Sequence, residues 1–207
     1  MIIERIPAGI YAANCYVIAC KETKKAAIVD PGGDAPDILQ YIHHKELEVE
    51  YIILTHGHGD HIGGAKEIKE GTNAILCIHK ADEDMLADPN KNLSGLMSGP
   101  NVVLKPDKLL MDGDILQLGT LKLHIIHTPG HTLGGICIKV EDALFTGDTL
   151  FAGSIGRTDF EGGSFEEIID SIKRKLFVFD DQTKVYPGHG PASSIGIERV
   201  SNPFVNQ

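Results

Sequence analysis

A run of metal-ligand residues directly after a short apolar stretch constrains the fold of this chain more than any other feature. The run, THGHGDHIGG at 55–64, lies where a buried strand is expected to end. His56 and His58 are two residues apart and project to the same side of an extended backbone, so both rings can reach one metal ion. Asp60 and His61 are adjacent and diverge. If a helix begins near Asp60, its positive end faces the site and both side chains can serve a second ion.

Three later segments end an apolar run with a tight turn and one further ligand-type residue. They are TPGH, FTGD and YPGH, which supply His131, Asp148 and His189 respectively. Because each ligand follows a strand and a glycine turn, we expect all three along one edge of a sheet, facing the same pocket. His124 and His127 lack such a turn, and we interpret them as structural residues.

The candidate metal ligands are five imidazoles and two carboxylates, from His56, His58, Asp60, His61, His131, Asp148 and His189. Because the set contains no thiolate, it suits zinc, iron or manganese, and it is too large for one tetrahedral ion. We therefore expect two divalent ions, with zinc as the first candidate and iron or manganese as alternatives. Asp148 is the natural bridge between them. Asp60 is the candidate catalytic residue, orienting a hydroxide that the two ions share.

Composition and charge restrict the class of protein. A chain of 207 residues with 42% hydrophobic residues can bury a core, and no break separates domains, so we predict one domain over 1–207. The net charge of −10 argues against nucleic-acid binding, although two divalent ions could still attract an anionic small-molecule substrate. The sequence contains neither a membrane-spanning apolar run nor a secretion signal, which favours a soluble cytoplasmic protein with no membrane partner. Nothing in the sequence indicates the oligomeric state.

Further patterns predict local structure. Asp34 marks the start of a helix, and Ser164 with Glu167 forms a capping box for another. The helix after this box has an apolar face formed by Phe165, Ile168, Ile169, Ile172 and Leu176. Asp30 either orients a ligating histidine or belongs to an ordinary Asp-Pro-Gly turn. The polar segment 81–101 is either a lid or substrate loop or a simple connection. The four cysteines, none in a CxxC pair, are expected to be buried free thiols.

Taken together, these motifs resemble those of the metallo-β-lactamase superfamily, and within it the glyoxalase II-like hydrolases. The resemblance covers nearly the whole chain, through the segments 55–61, 128–131, 145–150 and 186–190. It implies an α/β fold, an αβ/βα sandwich of two mixed β-sheets flanked by helices, with the site at one sheet edge. It also implies one ion on His56, His58 and His131, a second on Asp60, His61 and His189, and Asp148 as the bridge.

A further stretch, FAGSIGRTDF at 151–160, is similar to the glyoxalase II and persulfide dioxygenase branch of the superfamily. The similarity implies that Arg157 lies near the site, where it either binds substrate or holds the loop through Asp159. Full-length glyoxalase II has a helical C-terminal extension with basic residues for glutathione. This chain ends soon after His189, so we expect a short form of the family that lacks that helical domain.

The expected reaction is attack of a metal-activated hydroxide on an acyl carbon. A thioester suits such a site because a thiolate, whose parent thiol has a pKa of about 8.5, leaves without a dedicated general acid. The first candidate substrate is a hydroxyacylglutathione, with another ester or lactone as an alternative. Two rival hypotheses are a mononuclear iron persulfide dioxygenase, since that branch shares the ligand set, and a non-enzymatic metal-binding domain.

Overall fold

Two six-stranded mixed sheets form the centre of the fold, in a computed structural model that describes residues 1–206. In spatial order the first sheet contains β1 (Ile2–Ala8), β2 (Ala13–Ala19), β3 (Lys25–Val29), β4 (Glu48–Ile53), β5 (Ile75–His79) and β6 (Lys108–Leu110). Strands β1 to β3 pair antiparallel, and β3 to β6 pair in parallel. The second sheet contains β7 (Ile115–Leu118), β8 (Leu121–His127), β9 (Ile136–Val140), β10 (Ala143–Gly147), β13 (Lys184–Pro187) and β14 (Ser193–Ser194). A separate hairpin, β11 (Leu150–Phe151) and β12 (Ser154–Ile155), follows β10.

Helices cover the outer faces of both sheets. They are α1 (Ala35–His44), α2 (Gly59–Ile62), α3 (Ala65–Thr72), α4 (Glu83–Ala87), α5 (Phe165–Ser171) and α6 (Ile195–Ser201). Short 3₁₀ turns span Lys80–Asp82 and Ser94–Leu96, and a π-helical turn, Ile172–Leu176, continues α5. Helices α1 and α3 pack on the first sheet, while α5 and α6 pack on the second.

Strand β2 shows how the layers are built. All seven of its residues are buried, and successive side chains point to opposite faces of the sheet. Cys15 and Val17 pack in the cluster with α1 and α3, whereas Tyr16 and Ile18 pack in the cluster between the two sheets. A strand buried on both faces requires a layer on each side. The predicted αβ/βα sandwich is therefore confirmed.

Several local predictions can be compared with the fold. Helix α1 begins after Asp34 as expected, but the Asp34 carboxylate accepts a hydrogen bond from the amide of Gly9 (2.8 Å) instead of capping the helix. The Ser164 hydroxyl does cap α5, accepting from the amide of Glu167 (3.3 Å). Phe165 is 49% exposed, so its place on the buried face was wrong. Its spacing puts it on the apolar stripe, but no neighbouring element covers the first residue of the helix.

The cysteines are all free and buried, as the sequence predicted. Among residues 1–206, no helix has the length and apolar character needed to cross a membrane. The assignment of one domain to 1–207 stays a prediction.

The packing of α5 gives a stability prediction. Ile168 is fully buried beneath the second sheet, so Ile168→Ala should lower the free energy of unfolding by about 2–5 kcal/mol. Phe165 lies on the same helix but is 49% exposed, so Phe165→Ala should change the free energy of unfolding by about 0.5 kcal/mol or less. Chemical denaturation of both variants measures the difference. Equal losses would mean that α5 does not pack as described.

Candidate metal centre

All seven predicted ligands come together at one edge of the sandwich. His56 and His58 lie between the end of β4 and the start of α2, and Asp60 and His61 lie within α2. Asp148 follows β10 and His189 follows β13. Because β10 and β13 pair in parallel, their carboxyl ends meet at the same sheet edge. His131 follows β8 in the turn before β9.

The ligand atoms form two groups. One contains His56, His58 and His131, and the other contains Asp60, His61 and His189; within each group the ligand atoms lie within 4.8 Å of one another. Asp148 lies between the groups. Its Oδ1 is 3.3 Å from Nε2 of His61, and its Oδ2 is 3.7 Å from Nε2 of His131 and 3.8 Å from Nε2 of His189.

Hydrogen bonds on the far side of each ring fix the orientation of three histidines. Nδ1 of His61 donates to Oδ2 of Asp30 (3.1 Å), and Nδ1 of His131 donates to the carbonyl oxygen of Arg157 (2.7 Å). Nδ1 of His56 lies 3.1 Å from the Thr55 hydroxyl. In each case Nε2 is left to face the centre, which is how proteins orient metal-ligating imidazoles. The contact with His61 favours the orienting interpretation of Asp30 over an ordinary turn.

Two buried side-chain atoms without a hydrogen-bond partner indicate that these residues can hold metal ions. Among the described residues, Nε2 of His56 and Oδ1 of Asp148 are the buried side-chain nitrogen and oxygen atoms without a hydrogen-bond partner. Leaving such an atom unpaired costs roughly 1–3 kcal/mol, which coordination to a cation would offset. Ring nitrogens of His58 and His131 are 2.9 Å apart, and those of His61 and His189 are 3.2 Å apart. Two nitrogens bound tetrahedrally to one zinc ion would be about 3.3 Å apart, so the donor set fits.

The protonation states also suit metal binding. Burial, and then the neighbouring His131, lower the pKa of His58 to about 3, and burial lowers the pKa of His56 far below its ordinary value. Both rings are therefore neutral, as ligands must be. Burial acts to raise the pKa of Asp60, but contact with His189 and the charge of His61 outweigh it and hold that pKa low. The Asp60 carboxylate is thus ionised at neutral pH.

The close approach of the chain at Gly188 explains one glycine of the YPGH segment. A Cβ at Gly188 would overlap the carboxylate of Asp148 and lie 2.7 Å from Cε1 of His61. Only a residue without a side chain lets the two ligands sit this near the turn that holds His189.

A buried carboxylate outside the predicted set links the two histidine loops. Asp82 is 1% exposed; its Oδ2 accepts from the amide of Gly57 (3.2 Å) and from the Thr132 hydroxyl (2.7 Å), and its Oδ1 from the amide of Gly134 (2.6 Å). These bonds join the loop of His56 and His58 to the loop of His131. Sequence reasoning missed Asp82, because its partners are mostly backbone groups far away in the chain and leave no motif.

Arg157 lies at the wall of the site and makes the predicted contact with Asp159. Its Nε and Nη2 donate to the two carboxylate oxygens of Asp159 at 2.9 and 2.8 Å, and its guanidinium lies 4.2 Å from the ring centre of Phe160. Both charged side chains are 66% exposed. The geometry of the loop clasp is therefore present, while the carbonyl of Arg157 orients His131.

A cavity of about 500 Å³ opens onto the metal centre. Five candidate ligands line it, namely His58, Asp60, His131, Asp148 and His189. The segment 81–101 contributes Leu93, Leu96 and Met97, so this part of the chain belongs to the wall of the site. A larger surface cavity, of about 780 Å³ beside β8 and β9, contains none of the candidate ligands.

The sequence of this chain matches a known protein family. The family description "Metallo-beta-lactamase superfamily" matches residues 8–189. The chain belongs to the metallo-β-lactamase superfamily. Members of this superfamily bind divalent metal ions and include hydrolases. The predicted superfamily is therefore confirmed, and the chain has a cluster of histidines and aspartates of the kind that could hold a metal ion.

Two relatives within the metallo-β-lactamase superfamily match over their whole length. The chain is 40% identical to the probable metallo-hydrolase YqgX of Bacillus subtilis, covering 98% of this chain and 97% of YqgX. It is 38% identical to the hydroxyacylglutathione hydrolase GloC of Haemophilus influenzae, covering 100% of this chain and 99% of GloC.

Solved structures agree with the fold. BLEG-1, a B3 metallo-β-lactamase, is 35% identical and superposes with a TM-score of 0.94, covering 100% of both chains. TTHA1623, solved in a di-iron-bound form, is 29% identical with a TM-score of 0.85, covering 97% of this chain and 99% of that chain.

The position of Asp148 predicts how metal content responds to mutation. Protein purified without chelator should contain close to two divalent ions per chain, and Asp148→Ala should lower the occupancy of both, because its carboxylate lies between the two groups. Elemental analysis by mass spectrometry measures this. The matched control is Asp142→Ala, an exposed aspartate before β10, which should keep both ions. Loss of one ion alone from Asp148→Ala would show that the carboxylate does not bridge.

Proposed function

We propose that this chain hydrolyses thioesters at a centre of two divalent ions. One observation carries the proposal: the cavity presents ligands of both groups around Asp148, and beyond them it offers no carboxyl or imidazole group to protonate a leaving group. Apart from the candidate ligands, the ionisable side chains lining the cavity are Tyr11 and Arg157, so no additional carboxyl or imidazole group is present there. A thiolate leaves without protonation, whereas the poorer leaving group of an amide needs an acid.

The side chains have distinct roles in this proposal. His56, His58 and His131 would hold one ion, and Asp60, His61 and His189 the other, with Asp148 shared. Bound ions would polarise the acyl carbonyl and lower the pKa of water from about 15.7 towards 7. Asp30 holds the ring of His61, and the carbonyl of Arg157 holds the ring of His131. These contacts keep the imidazoles in place without reorganisation during the reaction.

Asp60 is the proposed catalytic residue. Its carboxylate Oδ2 lies 3.3 Å from Nε2 of His189 and 3.8 Å from Nε2 of His61, at the mouth of the cavity. Because its pKa is held low, Asp60 is an acceptor at neutral pH. It can therefore accept a hydrogen bond from the attacking water and turn the oxygen lone pair towards the acyl carbon.

The relatives support a thioester as substrate. GloC, 38% identical over the whole chain, is named as a hydroxyacylglutathione hydrolase, and a hydroxyacylglutathione is a thioester. S-lactoylglutathione is therefore the first substrate to test. Zinc is the proposed metal because the set of five imidazoles and two carboxylates suits it, and iron is the main alternative, since TTHA1623 contains two iron ions.

A second candidate is oxidation of a persulfide at a single iron ion. The run 156–160 and the shared ligand set favour it, since both occur in the persulfide dioxygenase branch that the sequence resembles. The second group of Asp60, His61 and His189 does not separate the two reactions, because the persulfide branch shares it. Hydrolysis is favoured because it is the commoner use of this site in the superfamily, and because the full-length relatives YqgX and GloC are named as hydrolases.

A paired assay tests the reaction. Metal-analysed protein should release thiol from S-lactoylglutathione, take up no oxygen with glutathione persulfide, and leave a chromogenic cephalosporin intact. Asp60→Asn should lower kcat at least about 100-fold in preparations whose metal content is intact. The control Asp84→Asn, which removes an exposed carboxylate on α4, should keep full activity. Oxygen uptake by an iron-loaded preparation, with no thiol release, would overturn the hydrolase proposal.

Arg157 is the proposed substrate-binding residue, and Asp159 provides a matched control. Arg157→Ala should raise KM while the metals are retained, because the guanidinium lines the cavity and can donate to a substrate oxygen. Asp159→Ala removes the clasp and frees the guanidinium, so KM should not rise above the wild-type value. Stability should change by about 1 kcal/mol or less in both variants, since the ion pair is exposed. Equal increases of KM in the two variants would assign Arg157 to the clasp alone.

A further inference from the structure

Beyond the metal ligands, the wall of the site cavity is apolar. Six side chains form this apolar wall: Leu93, Leu96, Met97, Phe151, Ile155 and Phe160. Leu96 is 81% exposed, and the half-exposed Tyr11 belongs to the same lining. Exposed apolar surface next to a reactive centre is a feature of binding sites, because a ligand that covers it removes that surface from water.

The charge of the lining also favours an uncharged ligand. Arg157 is the one cationic side chain among the residues that line this cavity, and both oxygens of Asp159 already bind its guanidinium. The Arg157–Asp159 ion pair therefore presents almost no net charge to a ligand. A substrate portion with free carboxylates, as in glutathione, would thus meet no unpaired cationic side chain along the apolar wall.

Hydrogen bonds to buried side chains hold the apolar wall in shape. Asn92 is fully buried; its Nδ2 donates to the carbonyls of Met85 and Val102 (both 2.9 Å), and its Oδ1 accepts from the amide of Ser94 (2.9 Å). These bonds fix the turn that presents Leu96 and its neighbours. A wall that is ordered before binding loses little entropy when a ligand arrives.

The opposite side of the wall is anchored by the C-terminal helix. Glu198 is 1% exposed, and its Oε2 accepts from the amide of Gly153 (2.8 Å) and from Nδ2 of Asn202 (2.9 Å). Nδ2 of Asn202 also donates to the carbonyl of Ser154 (3.0 Å). Helix α6 therefore fixes the turn of the hairpin β11–β12, which supplies Phe151 and Ile155 to the cavity.

We propose that the apolar wall binds an uncharged, apolar group of the substrate, so that the preferred substrates are thioesters with a medium-length hydrocarbon portion rather than thioesters of the anionic tripeptide glutathione. The inference rests on the proposed thioester hydrolysis and deepens it. Leu96 is the specificity-determining residue that the geometry singles out, since it is the most exposed apolar side chain of the wall and lines the same cavity as five candidate ligands.

Binding of non-hydrolysable thioethers tests the inference without turnover. Metal-replete protein would be titrated calorimetrically with S-methyl and S-hexyl N-acetylcysteamine. Each buried methylene should tighten binding about two- to fourfold, so the hexyl compound should bind at least about 30-fold more tightly, with a negative heat-capacity change. S-hexylglutathione should bind no more tightly than the neutral hexyl compound, because the apolar wall has no unpaired cationic side chain for its carboxylates.

Variants at Leu96 test whether this side chain causes the dependence of binding on hydrocarbon chain length. Leu96→Asn should weaken binding of the hexyl compound about fivefold or more and leave the methyl compound unchanged. Leu96→Lys should reverse the preference towards S-hexylglutathione by adding an unpaired cation. Val200→Asn and Val200→Lys are the matched controls, since Val200 is also 81% exposed but lies on α6 outside the cavity, and both should bind as the wild type does.

The outcomes separate this inference from the proposed reaction. Binding that does not depend on chain length, or binding of S-hexylglutathione more than tenfold tighter than the neutral compound, would overturn the apolar specificity even if thioesters are hydrolysed. Chain-length-dependent binding that Leu96→Asn abolishes supports it. If the same protein hydrolyses neither hexanoyl nor acetyl thioesters of N-acetylcysteamine, thioester hydrolysis is contradicted while the specificity of the wall stands.

Discussion

The carboxylate of Asp148 is the group on which the candidate metal centre depends, because its two oxygens lie 3.3 to 3.8 Å from ring nitrogens of both histidine groups. Its position results from sheet topology. Strands β10 and β13 pair in parallel, so the residues that follow them, Asp148 and His189, emerge at one sheet edge. The first sheet delivers His56 to His61 to the same edge from the end of β4. Two mixed sheets packed face to face therefore bring residues from distant parts of the chain together at one candidate metal centre.

Buried carboxylates elsewhere keep the loops of the centre in place. Asp30 binds the amide and hydroxyl of Thr55 and the ring of His61, and Asp82 joins the loop of His58 to that of His131. Glu198 anchors the hairpin that walls the cavity. Each group is almost fully buried and is satisfied by several donors, which is the condition under which a buried carboxylate is tolerated. The centre is thus rigid on its protein side and open towards the cavity.

The sequence predicted the ligands better than it predicted their surroundings. Ligands such as His56 and His58 follow strands at fixed spacing, and strand ends and glycine turns are local signals, so fold and centre could be inferred together. Asp82 and Glu198 could not be found, because they bind backbone groups more than 20 residues away and match no local pattern. Phe165 was misplaced because spacing gives the face of a helix but not the extent of the sheet beneath it. The apolar wall combines two separate segments, 93–97 and 151–160, and is visible only in three dimensions.

Anomalous X-ray scattering from crystals of metal-replete protein, recorded at the absorption edge of the bound metal, tests the central claim most directly. The account predicts two peaks about 3.5–4 Å apart on either side of the Asp148 carboxylate, as in binuclear hydrolytic sites. One should lie about 2.0–2.2 Å from ligand atoms of His56, His58 and His131, and the other at that distance from those of Asp60, His61 and His189. A single peak at full metal loading, or two peaks of which neither contacts Asp148, would contradict it.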